Sequence, residues 1–172
     1  MASLIEDFID TLTKENEEYQ TLLEISGRKT PIIVKGDVES LAKITDEEQA
    51  VVDRITVLDK HREEVLTDIA SVLNKDVQTL KVPELIKLLD RQEKEKQALS
   101  QIYEKLKVTV EEMKTINERN RGLIQLSLEM IQFDMNLMQA ASSGPETGDY
   151  NRNGAYSQGS FPAGASRFDS KS

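Results

Sequence analysis

Apolar residues recur at alternating spacings of three and four through most of this chain, the spacing of helices that bury one stripe. Ile5, Phe8, Leu12, Tyr19 and Leu22 follow it in a first helix expected over Ser3–Ser26. Ser3 with Glu6 three residues on has capping-box spacing, and Gly27 reads as a stop. The segment RKTPIIVKG then reads as a loop, with Pro31 breaking the helix and Ile32, Ile33 and Val34 docking elsewhere. A second helix is expected from a cap at Asp37 to about Leu73. Its seam is Leu41, Ile44, Glu48, Val51, Ile55, Leu58, Arg62, Val65, Ile69 and Val72. Glu48 and Arg62 interrupt that seam. Each must either meet a partner on a neighbouring helix or snorkel out at the rim, and snorkelling is the preferred reading. NKDVQTLKVPE is a turn, with Pro83 suited to a first helical turn. A third helix is expected from Glu84 to about Gln139, seamed by Leu85, Leu89, Gln92, Leu99, Tyr103, Leu106, Val110 and Met113. Asn117 and Asn120 continue its register, followed by Gly122, where a hinge and a plain exposed glycine are both open readings.

These elements predict an all-α fold. It is an elongated antiparallel helical bundle or coiled coil of three main helices, with a long overhanging third helix and a disordered C-terminal tail. The helical domain spans residues 1–139 and the flexible Gly/Ser-rich tail residues 140–172. If helices two and three pair through the turn, Val38 sits opposite Arg119. The third helix then outruns the second by about twenty residues, roughly 30 Å. The first helix, running back the other way, is expected to cover the opposite part of the body.

Leu123 to Met138 departs from the one-stripe pattern. Ten of its sixteen residues are apolar, and only Glu129 and Asp134 are charged. At 100° per residue they form two stripes on nearly opposite sides. Ile124, Leu128, Ile131, Met135 and Met138 are expected to continue the bundle's own side. Leu126, Met130, Phe133 and Leu137 are expected to wait for a partner. Ten apolar side chains, at roughly 1.5–3 kcal/mol each for full burial, are too many to leave wet. Three of the five methionines lie here, and methionine suits adaptable surfaces. Self-burial, by the Ile32–Val34 loop or by dimerisation, is the competing reading.

Charge narrows the partners. The net charge is −9. The tail holds three acids and three bases, so the helical body carries the whole excess. That excess repels nucleic acid and anionic membrane surfaces. The N-terminal MASLIEDFID has no basic region and no long apolar run, so neither a signal peptide nor membrane insertion is expected. Cysteine is absent, as suits a reducing cytoplasm. The tail, from Ala140, holds five of the eight glycines, seven serines and two of the four prolines, and it has no periodicity.

No catalytic constellation is legible. The single histidine, His61, reads as a solvated surface residue, and a helical di-iron site would need two Glu-x-x-His motifs. Glu17–Glu18, Glu47–Glu48, Glu63–Glu64 and Glu111–Glu112 read as acidic helix faces. There is no Gly-rich nucleophile turn or phosphate loop. An enzyme, a cofactor and a metal site are not expected.

The run NERNRGLIQLSLEMIQFDMNLM, followed by a Gly/Ser tail with Tyr-x-x-x-Gly at Tyr150–Gly154, resembles the FlgN family. Leu12, Glu15, Tyr19, Leu22 and Leu23 match its early pattern. Gly36, Asp37, Leu41, Glu48 and Gln49 match the next, as does Leu58 with Arg62. The resemblance covers nearly all of the body and the first part of the tail. It implies a cytoplasmic export chaperone of the bacterial flagellar type III secretion system. Such a chaperone binds the C-terminal helical regions of the hook–filament junction proteins FlgK and FlgL and delivers them to the export gate. The implied cargo-binding residues are Asn117, Asn120, Leu123, Ile124, Leu126, Met130, Phe133 and Leu137. Tyr150 and Gly154 are the implied contact with the export-gate protein FlhA, with Tyr156 a weaker candidate. No role is implied beyond Gly159. A chaperone of this kind is expected to be a monomer or a weak homodimer. The alternative is a structural coiled-coil adaptor that self-associates through residues 123–138.

Overall fold

The computed structural model of the chain describes residues 1–144. The chain divides into two compact units, Met1–Met135 and Asn136–Ser172. Four helices are present among the described residues: α1 (Ala2–Lys35), α2 (Val38–Val72), α3 (Val82–Leu88) and α4 (Glu93–Ser142). No strand occurs among those residues.

The first expectation to fail is the end of the first helix. It starts at Ala2, so Ser3 lies inside it, and it passes straight through Gly27 and Pro31 to Lys35. Proline inside a helix costs about 3 kcal/mol, because it removes one backbone bond and crowds the preceding turn. Tertiary packing offsets that here. Ile33 is buried and Ile32 packs on a core cluster. Arg28 pairs with Glu47 at 2.7 Å and Lys29 with Glu48 at 3.3 Å. The helix ends instead at Gly36, whose φ of 68° is the left-handed conformation glycine adopts freely. Gly36 N–H donates to the Ile33 carbonyl and Asp37 N–H to the Ile32 carbonyl, a Schellman closure. Asp37 at once caps α2, accepting from the Ser40 amide at 3.1 Å and from its hydroxyl at 2.6 Å. Those bonds hold the Asp37 carboxyl below its usual value. Two residues therefore reverse the chain where a nine-residue loop was expected.

Across α1 and α2 the Asp7–His61 contact and the ion pairs Glu18–Arg54 and Arg28–Glu47 set an antiparallel register. Glu48 and Arg62 do not merely snorkel: each finds a partner on α1, Lys29 and Glu15 respectively.

The expected third helix is two helices. Pro83 stands in the first turn of α3, which ends at Leu88 with Leu89 as its C-cap. Between Leu89 and Leu99 the seam positions hold Gln92, Glu95 and Lys96, so no apolar side chain anchors a continuous helix there. Lys96 instead reaches back to Asp90 at 2.7 Å. Leu80, Leu85 and Leu89 enter the same core as Leu99 and Ile102.

The interior has two apolar clusters. The first gathers Ile5, Phe8 and Leu12 with Val65, Ile69, Leu80, Leu85, Leu89, Leu99, Ile102 and Leu106. The second gathers Leu22, Ile25, Ile44, Val51, Ile55 and Met113. Glu15, Asn16 and Thr109 are buried in sequence between them.

The second unit's described residues, Asn136–Gly144, comprise the last turns of α4 and two residues beyond, and all are exposed.

Candidate functional site

The direction of α4 against α1 decides which part of α4 has cover. Asn16 Oδ1 accepts from the Thr109 hydroxyl at 2.8 Å, 93 residues apart in sequence. Asn120 Nδ2 donates to the Ser26 carbonyl at 2.9 Å, 94 residues apart. The near-constant offset means that α1 runs parallel to α4. It does not cover the opposite part of the body, as length alone suggested. Carried to Lys35, the same offset reaches about Leu128.

Burial follows that limit. Leu99, Ile102, Leu106, Met113 and Asn120 are buried, Leu123, Ile124 and Ser127 are half-buried, and every described residue from Leu128 onward is exposed. Leu126, Leu128, Met130, Ile131, Phe133 and Met135 are 50–62% exposed. With Leu137 and Met138 of the second unit they make half of the large exposed hydrophobics among the described residues. Soluble chains seldom leave such a run wet without a use for it. The Ile32–Val34 segment does not cover it, because those residues are helical and Ile33 is already buried in the bundle.

The expectation for the two stripes needs correction. Leu128, Ile131 and Met135 were expected against the bundle, but they are as exposed as Leu126, Met130 and Phe133. Both sides of the helix lack cover around and beyond the end of α1.

The two asparagines part company. Asn120 is 4% exposed, and its amide is engaged on both sides, with Thr30 donating to its Oδ1 at 2.6 Å. It joins α1 to α4 inside the bundle. Asn117, three residues earlier, is exposed. Leu123 and Ile124, half-buried, form the margin between bundle and open helix. Leu137 belongs to the second unit. Tyr150, Gly154, Tyr156 and Gly159 lie outside the described residues.

Glu15 was matched only as part of a pattern, and its environment was not legible. It is fully buried, with Oε2 3.3 Å from Arg62 and Oε1 without a hydrogen-bond partner. Burial pushes its carboxyl up to about 7; Arg62 pulls the other way, and the Asp59 carboxylate adds to the rise. It sits between the two cores, away from the exposed turns, so its consequence is for stability.

His61 lies at an exposed edge, 3.1 Å from Asp7. Among the described residues no group of three or more His, Cys, Asp or Glu side chains is placed to hold a metal ion. No helix among them is long and apolar enough to cross a membrane.

The FlgN family model, described as FlgN protein, matches residues 1–158 of the chain. No curated protein matches it, and no solved structure does.

Proposed function

Because the chain belongs to the FlgN family of flagellar export chaperones, we propose that its open apolar turns are a cargo-binding site. In this reading the protein is a cytoplasmic chaperone of the bacterial flagellar type III secretion system. It holds the C-terminal helical regions of the hook–filament junction proteins FlgK and FlgL and delivers them to FlhA at the export gate. One observation carries the proposal: α4 continues through Met135 with six apolar side chains half or more exposed, around and beyond the point where α1 ends.

The mechanism is bundle completion. An amphipathic cargo helix lays its apolar stripe on Leu126, Met130 and Phe133, and a second helix can lie on Leu128, Ile131 and Met135. Each buried side chain contributes roughly 1.5–3 kcal/mol at full burial. Capture hides the cargo's own apolar stripe until delivery, and no nucleotide is consumed. The free chain is a monomer or weak dimer in this reading. Tyr150 with Gly154 is the proposed docking signal for FlhA. A short segment that gains order on binding suits a transient contact.

Light scattering of the full chain with the cognate FlgK C-terminal fragment tests this. A defined complex is expected, which Phe133→Glu or Met130→Glu abolishes while helix content stays unchanged. A tight dimer indifferent to the fragment would support the self-associating adaptor instead. Tyr150→Ala is expected to keep cargo binding and lose export.

A further inference from the structure

Helices seamed at spacings of three and four fit one another nearly as well after a shift of seven residues, because the apolar positions repeat at that interval. In such a bundle the polar seam positions tell one register from the next. On α2, Glu48 and Arg62 stand fourteen residues apart, and they meet Lys29 and Glu15, fourteen apart on α1. A shift of seven would set the fully buried Glu15 against Ile55 or Ile69. The tight turn at Gly36 and Asp37 joins the same two helices. They therefore form a hairpin of fixed register.

The hairpin meets α4 without a short turn: the twenty residues from Leu73 to Gln92, α3 among them, lie between. Polar contacts mark its register there. Asn16 accepts from Thr109, and Asn120 holds the Ser26 carbonyl and the Thr30 hydroxyl. Between those contacts Leu23 and Ile116 pack on the second core, so polar meets polar and apolar meets apolar. Sliding the hairpin seven residues, about 10 Å, toward the C-terminal end of α4 would set Asn16 against Ile116 and Thr109 against Ile9. Each buried polar group would lose its partner. The same slide would carry Lys35 from about Leu128 to about Met135. There α1 would lie over Met130 and Ile131, which flank the line from Thr109 to Asn120 at 100° per residue. Leu99, at the other end, would pass beyond the start of α1 in exchange, so apolar burial alone does not choose between the two registers.

We infer that Asn16, Thr109 and Asn120 are positioning residues, which hold the hairpin in the register that leaves the apolar turns of α4 open. They act through the place where α1 ends. Without them the bundle is free to slide over its own open end and bury it. The consequence for cargo rests on the cargo-binding reading above; the register lock itself does not.

Disulfide trapping in the full chain tests this, because the sequence has no cysteine of its own. A Cβ at Gly27 would lie 3.8 Å from Ile116 Cδ1, so Gly27→Cys with Ile116→Cys reports the observed register. Gly27→Cys with Leu123→Cys reports the slide of seven. The parent is expected to form the first bond and not the second. With Asn16→Leu, Thr109→Leu and Asn120→Leu, both are expected to form to a similar extent. Exchanging the first two partners, Asn16→Thr with Thr109→Asn, while keeping Asn120→Leu, is expected to restore the first bond alone, which a mere change of packing would not do. In calorimetry with the cognate FlgK C-terminal fragment, the slid disulfide form is expected to bind about tenfold more weakly than the same chain after reduction, since α1 then covers Met130 and Ile131. A leucine variant that forms only the first bond, a parent that forms the second, or an exchanged pair that fails to restore the first alone overturns the lock and leaves the cargo-binding reading standing. If the slid form is trapped but binds the fragment as its reduced form does, the lock stands and the cargo-binding reading of those turns falls. Should the leucine variant lose helix content, Asn16→Leu with Thr109→Val is read in the same way.

Discussion

Between Leu99 and Met113, α4 hides Leu99, Ile102, Leu106 and Met113 within the two core clusters. Between Leu126 and Met135 it leaves six apolar side chains half or more exposed. Both stretches are helical and both are rich in leucine, isoleucine and methionine. The difference lies in the neighbours: α1 ends at Lys35, and the register of its bonds to α4 places that end near Leu128. Apolar content alone therefore does not separate buried from open turns; the length of the adjoining helices does.

Substitutions on the two sides of the limit should separate most widely. Leu99 is fully buried in the larger core. Leu99→Ala is expected to cost about 2–5 kcal/mol in urea unfolding, from lost burial and the cavity left behind. Phe133→Ala should stay within about 0.5 kcal/mol of the parent, because the ring already stands in water. Equal losses would mean that the open turns are core.

A second contrast lies between the two cores, at Glu15. Its carboxyl is raised from 4.5 to about 7 in the folded chain. The folded state therefore binds more protons than the unfolded one in that window. Its favourable contribution is full below about 4.5 and is lost as pH rises toward 7, by about 3 kcal/mol in all. Glu15→Gln should flatten this slope, leaving stability near that of the parent at pH 4 and raising it at pH 8. Urea midpoints at both pH values check it, and a parent whose stability climbs from pH 5 to 8 through this residue would contradict it.

The smallest effect is at Gly27. A Cβ there would meet Ile116 Cδ1 at 3.8 Å, an ordinary contact. Gly27→Ala should raise stability by about 0.5–1 kcal/mol, since the residue is mid-helix. A loss would mean that α1 needs glycine at that point.

That glycine also shows what can be read in the chain beforehand. The helical class, the Asp37 cap, the α2 seam and the oddity of Leu123–Met138 all come from local spacing, and local spacing is what sequence displays. Gly27 and Pro31 mislead for the same reason. Both oppose a helix locally, and what carries α1 through them is the contact of Ile32 and Ile33 with residues elsewhere in the bundle. The break after Leu88 is visible as missing apolar positions between Leu89 and Leu99, but a long seam on either side masks it. The exposure of Leu126, Met130 and Phe133 is legible from their stripe. That of Leu128, Ile131 and Met135 is not, because it depends on where α1 ends, and spacing alone ends α1 nine residues too early. Asn120 continues the seam register, but its role in joining α1 to α4 is not legible, because its partners, Ser26 and Thr30, are some ninety residues away.

Hydrogen exchange across residues 93–140, with and without the cognate FlgK fragment, is the most direct measurement. In the free chain, amides at Leu99–Asn120 should exchange slowly and those from about Leu128 rapidly. Adding the fragment should slow exchange from Leu123 through Met135 and leave Leu99–Leu106 unchanged. Slow exchange beyond Leu128 in the free chain, or no change there on adding the fragment, would contradict an open helix that cargo covers.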